Sequence, residues 1–404
     1  MKLLLTIFLF ISNLAWSQTK TSIELSGVNN QWSIETSYTK NSQSNWVPLF
    51  IYKDYYFGQD VFQLQQLTHQ LSKSQKLFAN INYQEQISQK IEIPITKKIG
   101  LHLGLSENLM LQSRLNRGVA NMLINGSNQN LGDTLDYSGS FIHFMHYQKI
   151  NLGLNFFSFN DSLKRHFEFS PCINFYVPNQ YFYAFTSNGR IAQNNDPYYS
   201  VYSQALIYGN TSSFNEGIFK TNGWGLGMDL NFKWYFENDY QINFELSDIA
   251  YIRLFNNYHF QLAHEINYDG IDIINDQSGN YNQINNYKDT LGIRDTNAEY
   301  NFLFPSSFEL SFSKILHKNW TLETSFSNFL RYNVPLRLEI NCHQKIKSNW
   351  LMNYGIAIGG FGQSAICIGS KYSLGYWQFS LQTFNLMFDH ANTSAIEARI
   401  SKTF

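Results

Sequence analysis

The feature that most constrains the fold is a run of thirteen residues in which apolar and polar side chains alternate without a break. From Trp224 to Phe236 every second residue is Trp, Leu, Met or Phe, and the residues between them are Gly, Asp, Asn, Lys or Tyr. Side chains point to opposite faces along a strand, so the run predicts one strand with an apolar and a polar face. Its length of roughly 44 Å exceeds that of a typical soluble strand and suffices to cross a membrane.

The same alternation recurs along the chain, in residues 99–105, 166–177, 240–246, 336–341, 350–358 and 396–404. A secreted β-sandwich with one buried face would alternate in the same way. The strand length and a polar face of Gly, Asn, Ser, Glu and His favour a barrel with a polar interior. Because every backbone group in hydrocarbon must be paired within the protein, the strands must close. We therefore expect an all-β fold, a transmembrane antiparallel β-barrel.

Strand counting gives nine strands from Trp224 onward and five to seven before it, and hence about 14 strands, or 16. If the short turn at Glu237–Asp239 is periplasmic, parity brings the final strand inward and places Phe404 at the periplasmic rim. Two segments break the alternation with apolar residues at helical spacing, Asp60 to Ser72 and Gln112 to Ile124. They predict one or two short helices in loops or in the lumen.

The N-terminus predicts export. Lys2 is followed by an apolar run from Leu3 to Ile11, and Ala15-Trp16-Ser17 has small residues at the positions that a signal peptidase requires. We expect residues 1–17 to be a cleaved signal peptide and residues 18–404 to form one barrel in the outer membrane. Three cysteines cannot form a disulfide framework; a single Cys342–Cys367 bridge stays open.

Aromatic residues directly follow several short polar turns. Such residues favour the membrane interface, where the ring lies in lipid and the polar end in water. We therefore predict a periplasmic aromatic girdle made of Tyr240, Trp320, Trp350 and Trp377.

Composition excludes several classes of function. With 29 basic and 30 acidic residues the chain has no electrostatic footprint for nucleic acid. It contains no nucleophile-elbow, metalloprotease or phosphate-loop motif, so we expect neither an enzyme nor a cofactor nor a metal. Gly223, Gly225 and Gly227 lie inside a strand, where they relieve crowding on the lumen face rather than bind a dinucleotide.

Charged and amide side chains on the polar faces are the candidates for lining the lumen. Because a buried charge is costly unless paired or hydrated, we expect the glutamates to pair with Lys and Arg across the lumen. The predicted lumen-lining residues are Asp229, Asn231, Lys233, Glu245, Glu309, Glu323, Arg337, Glu339 and Arg399.

Several short stretches resemble a family of uncharacterised outer-membrane barrels from the Bacteroidota, broadly similar to FadL-type barrels. They are Gly223 to Asp229, Leu246 to Ile252, Tyr268 to Asp272, Phe304 to Phe308, and Gly359 to Gly362 leading to Tyr376-Trp377. Ala250 departs from the pattern, where a Gly is usual, and Gln31 stands where a Pro is common.

The resemblance implies a non-enzymatic channel or transporter for small apolar or amphipathic molecules, and it transfers no site residues. An alternative is a structural or accessory barrel of a secretion (type IX) or surface assembly. The expected partners are outer-membrane lipid and, for the alternative, periplasmic or surface proteins.

Overall fold

A computed structural model of the chain describes residues 32–44, 78–96, 98–116, 134–160, 165–193, 199–210, 221–236, 240–268, 296–317, 319–330, 335–360, 364–385 and 393–404. Every regular secondary-structure element in this part of the chain is a β-strand. It has no helix that is long and apolar enough to cross a membrane. The predicted signal peptide and the predicted helix from Asp60 to Ser72 lie outside the described residues.

One antiparallel sheet contains all the strands of the described residues. The strands are β1 (Ser33–Ser44), β2 (Phe78–Pro94), β3 (Ile99–Asn116), β4 (Thr134–Asp136), β5 (Phe141–Asn160), β6 (Arg165–Gln193), β7 (Tyr199–Asn210), β8 (Gly223–Phe236), β9 (Tyr240–Tyr268), β10 (Thr296–Leu303), β11 (Ser307–His317), β12 (Trp320–Phe329), β13 (Arg337–Lys347), β14 (Trp350–Gly359), β15 (Ser364–Leu374), β16 (Trp377–Phe384) and β17 (Thr393–Thr403).

The sheet closes because β17 pairs with β1 over residues 33–43. Going round the barrel, the order is β1, β2, β3, β5, β6, β8, β9, β11 and then β12 to β17, which makes fourteen wall strands in the described chain. This confirms the predicted class and strand number. At the junction the Trp32 and Phe404 rings stack with centroids 4.1 Å apart, at the end where the short turns lie, as parity predicted.

Three further strands lengthen the wall at the opposite end. β7 continues the column of β8 between β6 and β9, and β10 continues the column of β11 beside β9. β4 pairs with the end of β6 above β5. The wall is therefore tall around β6 and β9, each of 29 residues, and low around β12 to β16.

Alternation places apolar side chains outside. On β8 the exposed fractions are 38% for Trp224, 55% for Leu226 and 45% for Met228, whereas the alternate residues Gly223 and Gly225 are buried. The same outward apolar pattern recurs on β5, β6, β11, β14, β15 and β16. The barrel thus has an apolar outer belt, which suits contact with lipid.

The predicted helix from Gln112 to Ile124 is wrong for its first residues. Gln112 to Asn116 are the end of β3, and each pairs with β2. Pairing on both sides of β3 outweighs the local helical spacing of its apolar residues, and residues 117–124 lie outside the described part.

A buried apolar cluster fills one side of the barrel interior. It comprises Met110, Met145, Tyr147, Tyr176, Tyr181, Ala250, Ile252, Leu254 and Phe304. These residues project inward from β3, β5, β6, β9 and the link between β10 and β11. The interior is therefore packed at this level rather than uniformly open.

Candidate functional site

A polar cavity of about 1190 Å³ occupies the half of the barrel nearest the short turns. Its lining comes from β17, β1, β2, β3, β5, β6, β8 and β9. Charges of both signs face it, including Lys90, Lys149 and Lys233 among the cations and Glu35, Glu168 and Glu245 among the anions. Such a lining favours water and polar groups over hydrocarbon.

The predicted lumen residues fall into two groups. Asp229, Asn231, Lys233, Glu245 and Arg399 line the cavity. The second group does not line the cavity. It lies on β11 to β13, on the strand face opposite to the outward apolar residues, and consists of Glu309, Glu323, Arg337 and Glu339.

Several of these charges have partners within the wall. Lys233 Nζ lies 3.8 Å from Glu168 Oε2, and Arg337 Nε donates to Glu339 Oε1 at 2.5 Å. Arg399 contacts Glu35 and Glu397. Glu309 and Glu245 are direct cross-strand neighbours, an arrangement of like charges that is unfavourable when both are ionised.

The predicted girdle residues all lie at the short-turn end. Tyr240, Trp320, Trp350 and Trp377 begin β9, β12, β14 and β16, and the three Trp side chains are exposed on the outer face. Their position relative to a membrane surface stays a prediction. The three cysteines are free thiols, and no cluster of metal-ligating side chains occurs among the described residues.

Three residues that line the cavity, Lys149, Asp229 and Asp248, form a cluster with the buried Tyr176 at the cavity end farther from the short turns. We call these four residues the Lys149 cluster. Lys149 Nζ donates to Asp229 Oδ2 at 2.8 Å and to Asp248 Oδ1 at 2.6 Å. Tyr176 Oη donates to the same Asp248 oxygen at 2.7 Å. Lys149 is only 8% exposed, so a buried cation is balanced by two carboxylates at the boundary of the cavity.

A bulge in β9 brings Asp248 into this cluster. The register between β8 and β9 shifts between Met228 and Leu230, so that Ser247 and Asp248 both line the cavity. The backbone N–H of Asp248 donates to Asp229 Oδ1 at 2.7 Å. Asp248 has φ of 61°, a left-handed conformation that is uncommon outside glycine, although Asp and Asn adopt it more readily than other residues.

A row of aromatic rings leads from the tall wall to the Lys149 cluster. In its upper part Tyr208 stacks on Tyr300 at 4.0 Å, and Phe302 stacks on Tyr181 at 5.3 Å. Tyr300 joins the two pairs, at 5.7 Å from Tyr181.

The lower part of the row is Phe304, Tyr147 and Tyr176. The ring centroid of Phe304 lies 5.2 Å from that of Tyr147 and 5.5 Å from that of Tyr176. Lys149 Nζ lies 5.7 Å from the centroid of the Tyr176 ring. Both parts belong to one packed cluster. We call these seven residues, together with Tyr183, the aromatic row.

Sequence reasoning singled out neither Lys149 nor Tyr176, although Tyr176 lies within the alternating segment 166–177. Two of the stretches that resemble the barrel family contain the acidic residues of the cluster. Asp229 is the last residue of Gly223 to Asp229, and Asp248 lies within Leu246 to Ile252. That both stretches carry an inward acidic residue was the available signal. The strand pairing that joins them is visible in the structure alone.

No family model and no curated protein matches the chain. Among solved structures it is similar to the TodX deltaS2S3 mutant monoaromatic hydrocarbon channel, with a TM-score of 0.45 and 8% identity over 92% of this chain and 89% of that one. It is similar to a Pseudomonas aeruginosa FadL homologue with a TM-score of 0.44 and 10% identity over 93% and 90%. The translocator domain of the autotransporter NalP from Neisseria meningitidis gives a TM-score of 0.34 and 6% identity over 94% and 89%.

Proposed function

We propose that the chain is an outer-membrane channel for small amphipathic molecules that combine a flat apolar part with a charged polar part. The observation that supports this most is the aromatic row, because it ends directly above the polar cavity. Aromatic rings bind apolar and flat groups. A cavity with charges of both signs solvates a polar group, so the two features in sequence suit an amphipathic molecule better than a hydrocarbon.

The apolar outer belt supports the location. Exposed Leu, Ile, Phe and Trp side chains cover the outside of the closed barrel, and a contiguous apolar surface of this kind is unfavourable in water. Since the fourteen wall strands of the described residues close on themselves, their backbone groups are paired as a hydrocarbon environment requires. We infer that the belt lies in the outer membrane with the tall wall on the extracellular side.

Uptake into protein-containing liposomes tests the proposal, with phenylalanine, alanine and sucrose as probes. A pore that selects by size alone admits alanine faster than phenylalanine. We expect phenylalanine to enter faster than alanine, and sucrose to be slowest, because the ring is held by the aromatic row.

Tyr300→Ala is expected to remove the advantage of phenylalanine, since Tyr300 joins the two ring pairs. Tyr251→Ala is the matched control, because Tyr251 is exposed on the outer face. Uptake equal to that of protein-free liposomes would refute the channel and favour the accessory-barrel alternative, which a co-purifying partner protein would then support.

A further inference from the structure

We propose that the Lys149 cluster holds the channel closed between the aromatic row and the polar cavity, and that the passage opens when its ion pairs break. This inference rests on the proposed function, because it assigns the regulation of that channel. It concerns the boundary at which the packed interior meets the cavity.

The cluster joins strands that are far apart in sequence. Lys149 on β5, Tyr176 on β6, Asp229 on β8 and Asp248 on β9 meet at distances of 2.6 to 2.8 Å. On the short-turn side of the cluster, Asn151 Nδ2 donates a hydrogen bond to Asn174 Oδ1 at 2.8 Å. Four wall strands are therefore joined by one network of ion pairs and hydrogen bonds at the point where the cavity ends.

The part of β9 at the bulge can pair with β8 in two ways, with the bulge or as a regular ladder. A left-handed residue other than glycine persists only where its surroundings fix it, and Asp248 is fixed by three hydrogen bonds within the cluster. Without them a regular β8–β9 ladder becomes the competing arrangement, and in it either Ser247 or Asp248 turns outward. The ion pairs therefore decide which arrangement of β9 is occupied.

The glycines of β8 allow the closed arrangement. A Cβ atom at Gly225 would lie 2.3 Å from Ile252 Cδ1 and 3.1 Å from Tyr176 Cβ, and one at Gly227 would lie 2.5 Å from Ala250 Cβ. Side chains from β6 and β9 therefore lie across β8, and Tyr176 is fully buried there. The hydroxyl of Tyr176 reaches Asp248 from this position, so the aromatic row and the bulge are coupled through one hydrogen bond.

Loss of Lys149 leaves two carboxylates adjacent and without their shared cation. Like charges at this distance repel, and a partly buried charge draws in water when its partner is removed. Hydration at this point would separate Tyr176 from the bulge and connect the cavity to the aromatic row. A charge-neutral residue at position 149 is therefore expected to open the passage.

The native thiol of Cys172 reports on this opening. Cys172 lines the polar cavity and pairs across the strands with Asp229, directly on the cavity side of the cluster. In a Cys342→Ser, Cys367→Ser background it is the single thiol of the chain. A permanently charged methanethiosulfonate added at the long-loop side of vesicles, with glutathione inside to quench leakage, reaches Cys172 only through the passage.

We expect slow modification of Cys172 in the otherwise unchanged protein and faster modification in Lys149→Met. Since a minor open state holds about 0.1–10% of the molecules, the expected increase is about tenfold or more. Lys345→Met is the matched control, because Lys345 is an exposed lysine on β13, outside both the cluster and the cavity lining, and its rate should equal that of the unchanged protein. Reagent added at the short-turn side should modify all three proteins alike.

Asp248→Asn is the second test variant, for the case that Lys149→Met fails to fold. Folding is judged by the heat-dependent change in the mobility of β-barrels in gel electrophoresis. Asparagine tolerates the left-handed conformation and can still accept from Tyr176, so only the ion pair is weakened, and faster modification is again expected. Modification at the unchanged rate in folded Lys149→Met, or in folded Asp248→Asn, would overturn the proposal. Fast modification without phenylalanine uptake would instead refute the proposed function and leave the closure standing.

Discussion

At the scale of single residues, Asn385 shows how one side chain can end a strand. It follows β16 with φ of 51°, its Oδ1 accepts from the N–H of Ile366 at 2.6 Å, and its Nδ2 donates to the carbonyl of Ser364 at 3.2 Å. We expect Asn385→Gly to lose these bonds but keep the backbone, at about 1–2 kcal/mol. Asn385→Ala should cost about 1–2 kcal/mol more, and urea unfolding in detergent measures both; equal losses would contradict the role of the left-handed backbone.

The glycines at residue scale differ in how tightly they are packed. A Cβ at Gly227 would lie 2.5 Å from Ala250 Cβ and 2.7 Å from the carbonyl oxygen of Ile249, whereas one at Gly100 would meet nothing closer than 3.6 Å. Gly227→Ala should therefore lower the free energy of unfolding by about 1–3 kcal/mol. Gly100→Ala, the matched control, should be neutral or slightly stabilising, within about 0.5 kcal/mol. A similar effect of the two changes would show that β8 and β9 can separate at no cost.

At the scale of elements, each wall strand has a lipid-facing and an interior side. Ile356 is 48% exposed on the outer face of β14, six residues after Trp350 and hence near the middle of the belt. Ile356→Arg is expected to destabilise the barrel by about 2–4 kcal/mol, as measured by unfolding from lipid vesicles. Asn231→Arg should be tolerated, because Asn231 lines the polar cavity near Glu245. A tolerated Ile356→Arg would place this face away from lipid.

Strand alternation explains which elements and site residues the sequence could predict. Asp229, Asn231 and Lys233 lie on an unbroken alternation, so their inward direction follows from the period alone. Lys149 lies in phase with the buried residues His143, Met145 and Tyr147 on β5, which pairs regularly with β3. Because this inward face carries apolar as well as polar residues, the alternation of residue types does not mark it. The partners of Lys149 are 80 and 99 residues away, and contacts of that separation depend on strand register, which local patterns do not contain.

The β3 segment from Gln112 to Asn116 fails for a related reason. Its local spacing is helical, yet Gln112 is buried and donates to Asn82 on β2 at 3.3 Å. A long strand is stabilised by its two neighbours, and neither neighbour is visible in a short window of sequence. The barrel class was therefore predictable, whereas the height of the wall was not.

At the scale of the whole molecule, the apolar belt should fix the depth of the barrel in a membrane. Trp350 begins β14 at the short-turn end, and Trp224 lies near the other end of β8, so the two mark opposite edges of the belt. In single-Trp variants, lipids brominated near the head group should quench both residues more than lipids brominated near the chain end. Deep quenching of Trp350 would contradict the predicted girdle.

The uneven height of the wall makes the barrel one-sided at the end opposite the short turns. β12 and β14 have 10 residues each and β16 has 8, which is about the length needed to cross the hydrocarbon. β6 and β9, with 29 residues, are roughly 99 Å long at ~3.4 Å per residue. In the proposed orientation, one flank therefore projects beyond the lipid head groups, and the opposite flank ends among them. In that orientation, antibodies, phages and proteases that approach from the medium would meet the projecting flank, whereas neighbouring membrane proteins could approach closely along the low one.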